Sequence, residues 1–301
     1  PPPPPHFFLH AQAALRDPLW SRGLGDVYKR QNQIKAIFLE FTNKVESVSL
    51  DEAYLDVSDS KHFSGSASLL AKHIRERIYN EVGVTASAGV APNKFLAKVA
   101  SDINKPNGQY VIAPDSIANF ISGLHLRRIP GVGKVLEKKL NQLGLIKCAD
   151  VQNYCVETLV KKIGSFGYTL YQRSYGKDNR EVKERSIRKS VSVERTFSQD
   201  LDNIDNCFEK IYLLIESFQE RLYKLQDSYF AKAYFVKIKF NDFSQTTLER
   251  SNINTLDVDI IKEMYMEAWK RRSKPARLLG LGARLIPKEG CQNSIQLDLL
   301  R

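Results

Sequence analysis

The stretch Ser47–Ser58, "SVSLDEAYLDVS", decides how the chain is read. Apolar and β-prone residues surround two adjacent carboxylates, Asp51 and Glu52, and a third, Asp56, stands four positions beyond Glu52. Neighbouring negative charges repel each other and resist burial. Two readings explain their presence in a strand-like run. One is a solvated acidic turn; the other is a site for a divalent cation. "VESVSL" and "AYLDVS" read as two short strands, and a tight hairpin between them puts both carboxylates at its tip. Paired carboxylates with little else to neutralise them suit Mg²⁺, a hard cation that takes oxygen ligands and keeps waters and phosphates in its shell. Asp56, further along the strand, reads as structural or solvated.

Outward from that hairpin the pattern is regular. "QIKAIFLEFTNKV" spaces Ile34, Ile37, Phe38 and Phe41 along one helical face. "SASLLAKHIRERIYNEVG" is an amphipathic helix with Ser66 as its N-cap and Gly83 at its end. "VTASAGVAP" is a small-residue strand, "NKFLAKVASDINK" a short helix, "PNG" a turn and "QYVIAP" another strand. This alternation predicts an α+β sheet domain with helices on one face. Residues 115–186 read as all-helical. From 189 the order becomes strand, helix 204–226, two strands, helix 257–272 and strand, the β-α-β-β-α-β order of a ferredoxin-like unit.

Charge is unevenly spread. Of the net +11, residues 127–190 hold 15 Lys/Arg against 6 Asp/Glu, whereas residues 31–126 hold 9 against 10. A basic block of this kind is either a solvated helical surface or a nucleic-acid footprint. Within it lies "IPGVGKVLEKKL", Ile129–Leu140. Gly131 and Gly133 permit a tight turn whose amides, together with the start of the next helix, can hold a phosphate oxygen. Val132 lies between them, and Lys134, Lys138 and Lys139 add charge along that helix. The pattern is that of a helix-hairpin-helix, which grips DNA backbone without reading sequence; the alternative is a helical elbow in which glycine only relieves strain. Lys105, in "ASDINKPNG", sits on a turn from which it could reach a triphosphate.

No apolar run is long enough for a membrane-spanning helix. The four cysteines show no C-x-x-C spacing, which excludes a zinc ribbon and points to reduced thiols in a cytoplasmic setting. The first residues open with "PPPPP", and "LWSRGLGDVYKRQ" has neither helical nor strand period. Pro1–Gln31 therefore reads as a non-native or disordered segment outside the fold.

"SLDEAYLDVS", "TASAGVAPNKFLAKVASDINKPNGQYVI", "IPGVGKV" and "RKSVSVERTF" resemble, in order and spacing, the Y-family translesion DNA polymerases, over about Asn32 to Leu300. The resemblance implies an α+β right hand that lacks its first palm strand and fingers: partial palm at 32–114, helical thumb at 115–186, ferredoxin-like little finger at 187–288 and tail at 289–301. It implies that Asp51 and Glu52 bind two Mg²⁺ ions as catalytic ligands, together with a first-strand aspartate that nothing before Asn32 supplies. It implies that Lys105 contacts the incoming deoxynucleoside triphosphate, and that Ser49 has a supporting role. "QLDLL" near the C-terminus resembles the peptide that docks on the bacterial sliding clamp, through Gln296, Leu297, Leu299 and Leu300. The expected partners are primer–template DNA, deoxynucleoside triphosphates and that clamp, for a monomer impaired by its missing aspartate. A non-catalytic fragment that binds DNA and clamp is the alternative; a structure-selective nuclease leaves the last domain unexplained.

Overall fold

The computed structural model describes residues 6–12, 23–183, 187–253 and 256–288. Gln296–Leu300, the clamp-like peptide, lies outside them. The chain divides into two compact units at Arg185/Ser186.

The first unit opens on a five-stranded sheet of order β2-β3-β1-β4-β5. Its strands are β1 (His6–Gln12), β2 (Val45–Ser47), β3 (Glu52–Asp56), β4 (Thr85–Ala91) and β5 (Gln109–Val111). Around it run α1 (Gly23–Leu39), α2 (Ala67–Arg77) and α3 (Lys94–Ser101). Two expectations are corrected at once. Residues 1–31 are not all outside the fold, because His6–Gln12 is the central strand and α1 begins nine residues before Asn32. The physical reason is backbone accounting. β3 and β4 each have an inward row of amides and carbonyls, and β1 pairs antiparallel with both, His10 lying opposite Glu52 on one side and Ser87 on the other. The sheet therefore does not lack a strand at this position; what the strand lacks is any Asp or Glu.

The second correction concerns the layers. Helices cover both faces of the sheet, not one. Ala53 and Leu55 of β3, with Ala86, Ala88 and Val90 of β4, face Ile37 and Phe38 of α1 and Leu70, Ala71, Ile74 and Ile78 of the α2 region. The alternate residues Tyr54 and Ala91 face α3, whose Phe95, Leu96, Ala97, Val99 and Ala100 are all buried. Strand alternation makes the two faces, and α3, apolar almost all round, is enclosed between sheet and thumb. Gly89 lets α3 close in. A β-carbon there would stand 2.1 Å from the carbonyl oxygen of Ala97 and 2.3 Å from the amide nitrogen of Ser101.

Caps are where the sequence puts them. Ser66 accepts from the Leu69 amide at 3.3 Å, and Gly83 closes the end of that helix with φ +73°. Asn93 caps α3, its Oδ1 accepting from the Leu96 amide at 3.0 Å. Beyond β5 the unit is helical, as expected for a thumb: α4 (Ile117–Ser122), α5 (Lys134–Gln142), α6 (Cys148–Gln152), α7 (Val156–Ile163) and α8 (Phe166–Ser174).

The second unit has the expected element order: β6 (Ser190–Leu201), α9 (Ile204–Tyr223), β7 (Tyr229–Phe240), β8 (Gln245–Ser251), α10 (Val258–Lys270) and β9 (Ala276–Pro287). Its antiparallel sheet runs β6-β9-β7-β8. The last strand thus lies between the first and second, whereas a ferredoxin-like sheet sets its third strand there. The element order was legible; the strand order was not, because β9 is apolar enough to be central (Leu279, Leu281 and Ala283 fully buried) and takes the middle of the sheet. The helices pack on one face through Cys207, Ile211, Phe218, Met264 and Tyr265, and the Tyr265 hydroxyl donates to the Gly280 carbonyl at 2.7 Å. Lys237–Glu194 and Arg284–Glu249 ion pairs lie in partly exposed positions on the other face.

Candidate active site and nucleic-acid interface

The β2–β3 connection is longer than the sequence suggests. β2 ends at Ser47 and β3 begins at Glu52, so the tip is Val48–Asp51. The Glu52 carbonyl closes it, accepting from the Val48 amide at 2.9 Å and the Ser49 amide at 3.3 Å. Asp51 is therefore at the exposed tip, but Glu52 is a strand residue and half-buried. The expectation that both carboxylates sit at the tip is corrected to one at the tip and one on the sheet. Ser49 has a definite part: its hydroxyl donates to the Asp51 carboxylate at 2.6 Å, which fixes that side chain's direction.

Glu52 is neutralised by a residue the sequence reading passed over. Lys98, on α3, forms an ion pair and hydrogen bond with the Glu52 carboxylate, and each side chain is about one-fifth exposed. Glu52, Tyr54 and Asp56 alternate onto the α3 face of β3, and α3 is pressed against that face at Gly89, so a lysine one turn after Lys94 meets Glu52. The signal in the sequence was the pair Lys94 and Lys98 in an otherwise apolar helix. Tyr54, next on that face, is buried under the Lys94 ammonium, 4.9 Å from its ring centroid, and burial pushes its hydroxyl up to about 12.

Asp56 is structural, as expected. Its carboxylate accepts from the amide and hydroxyl of Ser58 and lies 3.7 Å from Lys44, so it closes the end of the strand. Lys105 stands on the loop after α3, its ammonium 2.5 Å from Asp102 and about one-fifth exposed.

In the thumb, Gly131 turns the chain at φ +100° under the ring of Phe166, where a β-carbon would come within 2.7 Å of Cε2. Gly133 is the N-cap of α5 and brings no side-chain acceptor. The first-turn amides of α5 have no partner within the helix, so they remain open to an anion. Lys134, Lys138 and Lys139 are exposed and Val132 is buried beneath the turn. Gly133, Lys134, Val135, Leu136, Lys139 and Ile163 line a hollow of about 340 Å³. A tight glycine turn, a helix start and three exposed lysines together present amide donors and positive charge to solvent, chemistry that suits an anion.

Among the described residues, no group of three or more His, Cys, Asp or Glu side chains is placed to hold a metal. The acidic pair supplies hard oxygen donors but only two carboxylates.

Comparison with known proteins decides the family. The model described as the impB/mucB/samB family matches residues 21–102, and the one for its C-terminal domain matches 188–299. The model described as the DNA polymerase-iota thumb domain matches 127–178. A DNA polymerase IV of Ectopseudomonas mendocina is 46% identical over 289 residues, 96% of this chain and 82% of the relative. The chain belongs to the Y-family DNA polymerases. A DNA polymerase IV of Legionella pneumophila is 45% identical over 276 residues, covering 91% of this chain and 77% of the relative. Among solved structures, a Y-family DNA polymerase chimera of Dbh and Dpo4 superposes with TM-score 0.76 at 26% identity, over 86% of this chain and 75% of that one. A Dbh ternary complex matches with TM-score 0.57 at 25% identity, over 86% and 78%.

Within the Y family the chain is of the DNA polymerase IV kind, a DNA-directed DNA polymerase of the translesion type. With 289 of the 301 residues aligned, the likeness enters the first thirty residues and does not start at Asn32. Y-family polymerases work with divalent metal.

Proposed function

We propose that Asp51 and Glu52 hold Mg²⁺ for template-directed addition of deoxynucleotides to a primer, while the Gly131–Lys139 segment grips the duplex. The observation that carries this is the hairpin itself: one carboxylate aimed by Ser49 at an exposed tip, the other held on the sheet by Lys98. Asp51 and Glu52 would hold the metal, whose chemistry would be to lower the pKa of the primer 3′-hydroxyl and to offset charge gathering on the triphosphate. The chain's own residues do the rest. Ser49 orients Asp51, Lys98 pairs with Glu52 and holds it in place beside Asp51, and Lys105 places a cation within the loop that follows α3, where a triphosphate is to be received. The amides at Gly131 and Gly133 and the ammonium groups of Lys134, Lys138 and Lys139 hold phosphates of primer–template DNA.

Two carboxylates suit one hard ion. A second ion in the family's arrangement draws on a first-strand aspartate, and β1 contains none. The 301-residue chain should accordingly bind primer–template and deoxynucleoside triphosphate, yet fail to extend the primer. The other function consistent with this is a non-catalytic protein that keeps the grip on DNA and, through Gln296–Leu300, on a sliding clamp. We place the protein in the cytoplasm as a monomer; among the described residues, no helix is long and apolar enough to cross a membrane.

The test is a primer-extension assay run beside an anisotropy measurement on the same labelled duplex. Saturable binding without extension supports the reading. Robust extension refutes the impairment, and absence of binding refutes the grip.

A further inference from the structure

The seam between palm and thumb holds a charge that neither the carboxylate site nor the duplex grip uses. Arg173 of α8 is 8% exposed. Its guanidinium donates to the Pro130 carbonyl at 2.5 Å and lies over two rings, 5.6 Å from the centroid of Phe95 and 6.0 Å from that of Phe166. A buried cation is costly, and an apolar side chain of the same size would serve packing alone at least as well. The two sides of this contact are informative. Pro130 directly precedes Gly131, and Phe166 is the ring that closes over Gly131, so Arg173 and Phe166 together define the glycine turn from within. Phe95 belongs to α3, and three residues later on that helix Lys98 holds Glu52. Further bonds bind the same helix to the thumb's last segment. Asn93 donates to the Gly176 carbonyl at 2.8 Å, Lys94 donates to the Glu181 carbonyl at 3.1 Å, and the Glu46 carboxylate takes both Lys94 and the Lys183 amide.

We propose that Arg173 is a positioning residue that locks the glycine turn of the thumb to helix α3, so that this one helix sets the separation between the duplex grip and the Asp51–Glu52 pair. The flat, permanently charged fork suits the task, because it can stack on two rings while donating in its own plane. Arg173 itself touches no phosphate. It acts through the turn, and losing it frees the turn to rotate while leaving every DNA-facing side chain in the sequence. The proposal rests on the reading that Gly131–Lys139 holds DNA phosphate, and the experiment separates the two.

Affinity of the 301-residue chain for a labelled primer–template is measured across a range of salt for the wild type, Arg173→Gln, Phe166→Leu and Lys134→Glu, each with a thermal melt. Arg173→Gln is expected to weaken binding on the order of tenfold. It is also expected to flatten the slope of log K against log salt by about one to two phosphate contacts, with a cooperative melt retained. A merely structural role would not move that slope. Phe166→Leu, which empties the space over Gly131 without removing a charge, should flatten it in the same way and carries the test if Arg173→Gln does not fold. Wild-type affinity and slope in a folded Arg173 or Phe166 variant overturn the positioning role, as does a weakening with unchanged slope. If Lys134→Glu also binds as the wild type does, the phosphate reading falls and the proposal with it; if only Lys134→Glu is weakened, the positioning role alone falls.

Discussion

Lys98 and Glu52 show what a single ion pair does here. Each side chain keeps about a fifth of its surface in water, so the pair lies between an exposed contact and a buried one. Replacing Lys98 by Met should lower stability by about 1–2 kcal/mol, more than a surface pair and less than a fully buried one, as read from urea denaturation. It should also weaken metal binding at the hairpin, since Glu52 would no longer be held. Asp178 gives a pH prediction. Its side chain is 5% exposed; burial pushes its carboxyl upward, but the Arg180 guanidinium at 2.7 Å and its charge outweigh burial and hold it below the usual carboxylate range. A depressed pKa stabilises the fold above the unfolded value and loses that contribution as pH falls through the folded one. Thermal melts of the wild type should therefore weaken progressively below about pH 4, and part of that acid sensitivity should vanish in Asp178→Asn. An unchanged acid profile in the variant would remove Asp178 from the account. At this scale Asp51, Glu52 and the thumb glycines were legible in the sequence, because adjacent carboxylates and a Gly-x-Gly turn are local patterns. Lys98 and Arg173 were not: each acts on a partner 46 or 43 residues away, and nothing local marks that distance.

Helix α3 is the element on which the first unit depends. It is eight residues long, too short to be stable alone, and it is held by its Asn93 cap and by burial on nearly every side. The approach at Gly89 is backbone against backbone, so Gly89→Ala has no flexible side chain to push aside. It should cost about 1–3 kcal/mol or more and lower metal affinity by moving Lys98 off Glu52. A variant as stable as the wild type, with unchanged metal affinity, would show that α3 is not seated as described. Elements with a period were readable from sequence: the apolar face of α1, Ser66 before α2 and the alternation of β7 between buried Val236 and Ile238 and partly exposed Lys237 and Lys239. The central strand β1 was not, since "HFFLHAQ" in a proline-led segment carries no alternation strong enough to reveal two strand partners. Pairing, not propensity, makes it a strand.

For the whole molecule, the charge distribution sets the expected behaviour. The excess of lysine and arginine lies in residues 127–190, so duplex affinity should fall steeply with salt, by about 0.9 log units per tenfold salt for each phosphate neutralised. Removing Gln296–Arg301 should abolish capture by an immobilised sliding clamp and leave duplex affinity within about twofold; an equal loss of both would contradict a dedicated docking peptide. The order of helices and strands beyond Asn32 could be read along the chain because successive segments differ in period and charge. The order of strands in the second unit could not, since the sequence does not record which apolar strand is taken into the centre. The most direct measurement is anomalous diffraction from crystals of the chain with primer–template, a non-hydrolysable deoxynucleotide and Mn²⁺ in place of Mg²⁺. The account predicts a manganese peak at about 2.1 Å from carboxylate oxygens of Asp51 and Glu52, beside the primer terminus. A hairpin with no peak, turned away from the primer, would contradict it.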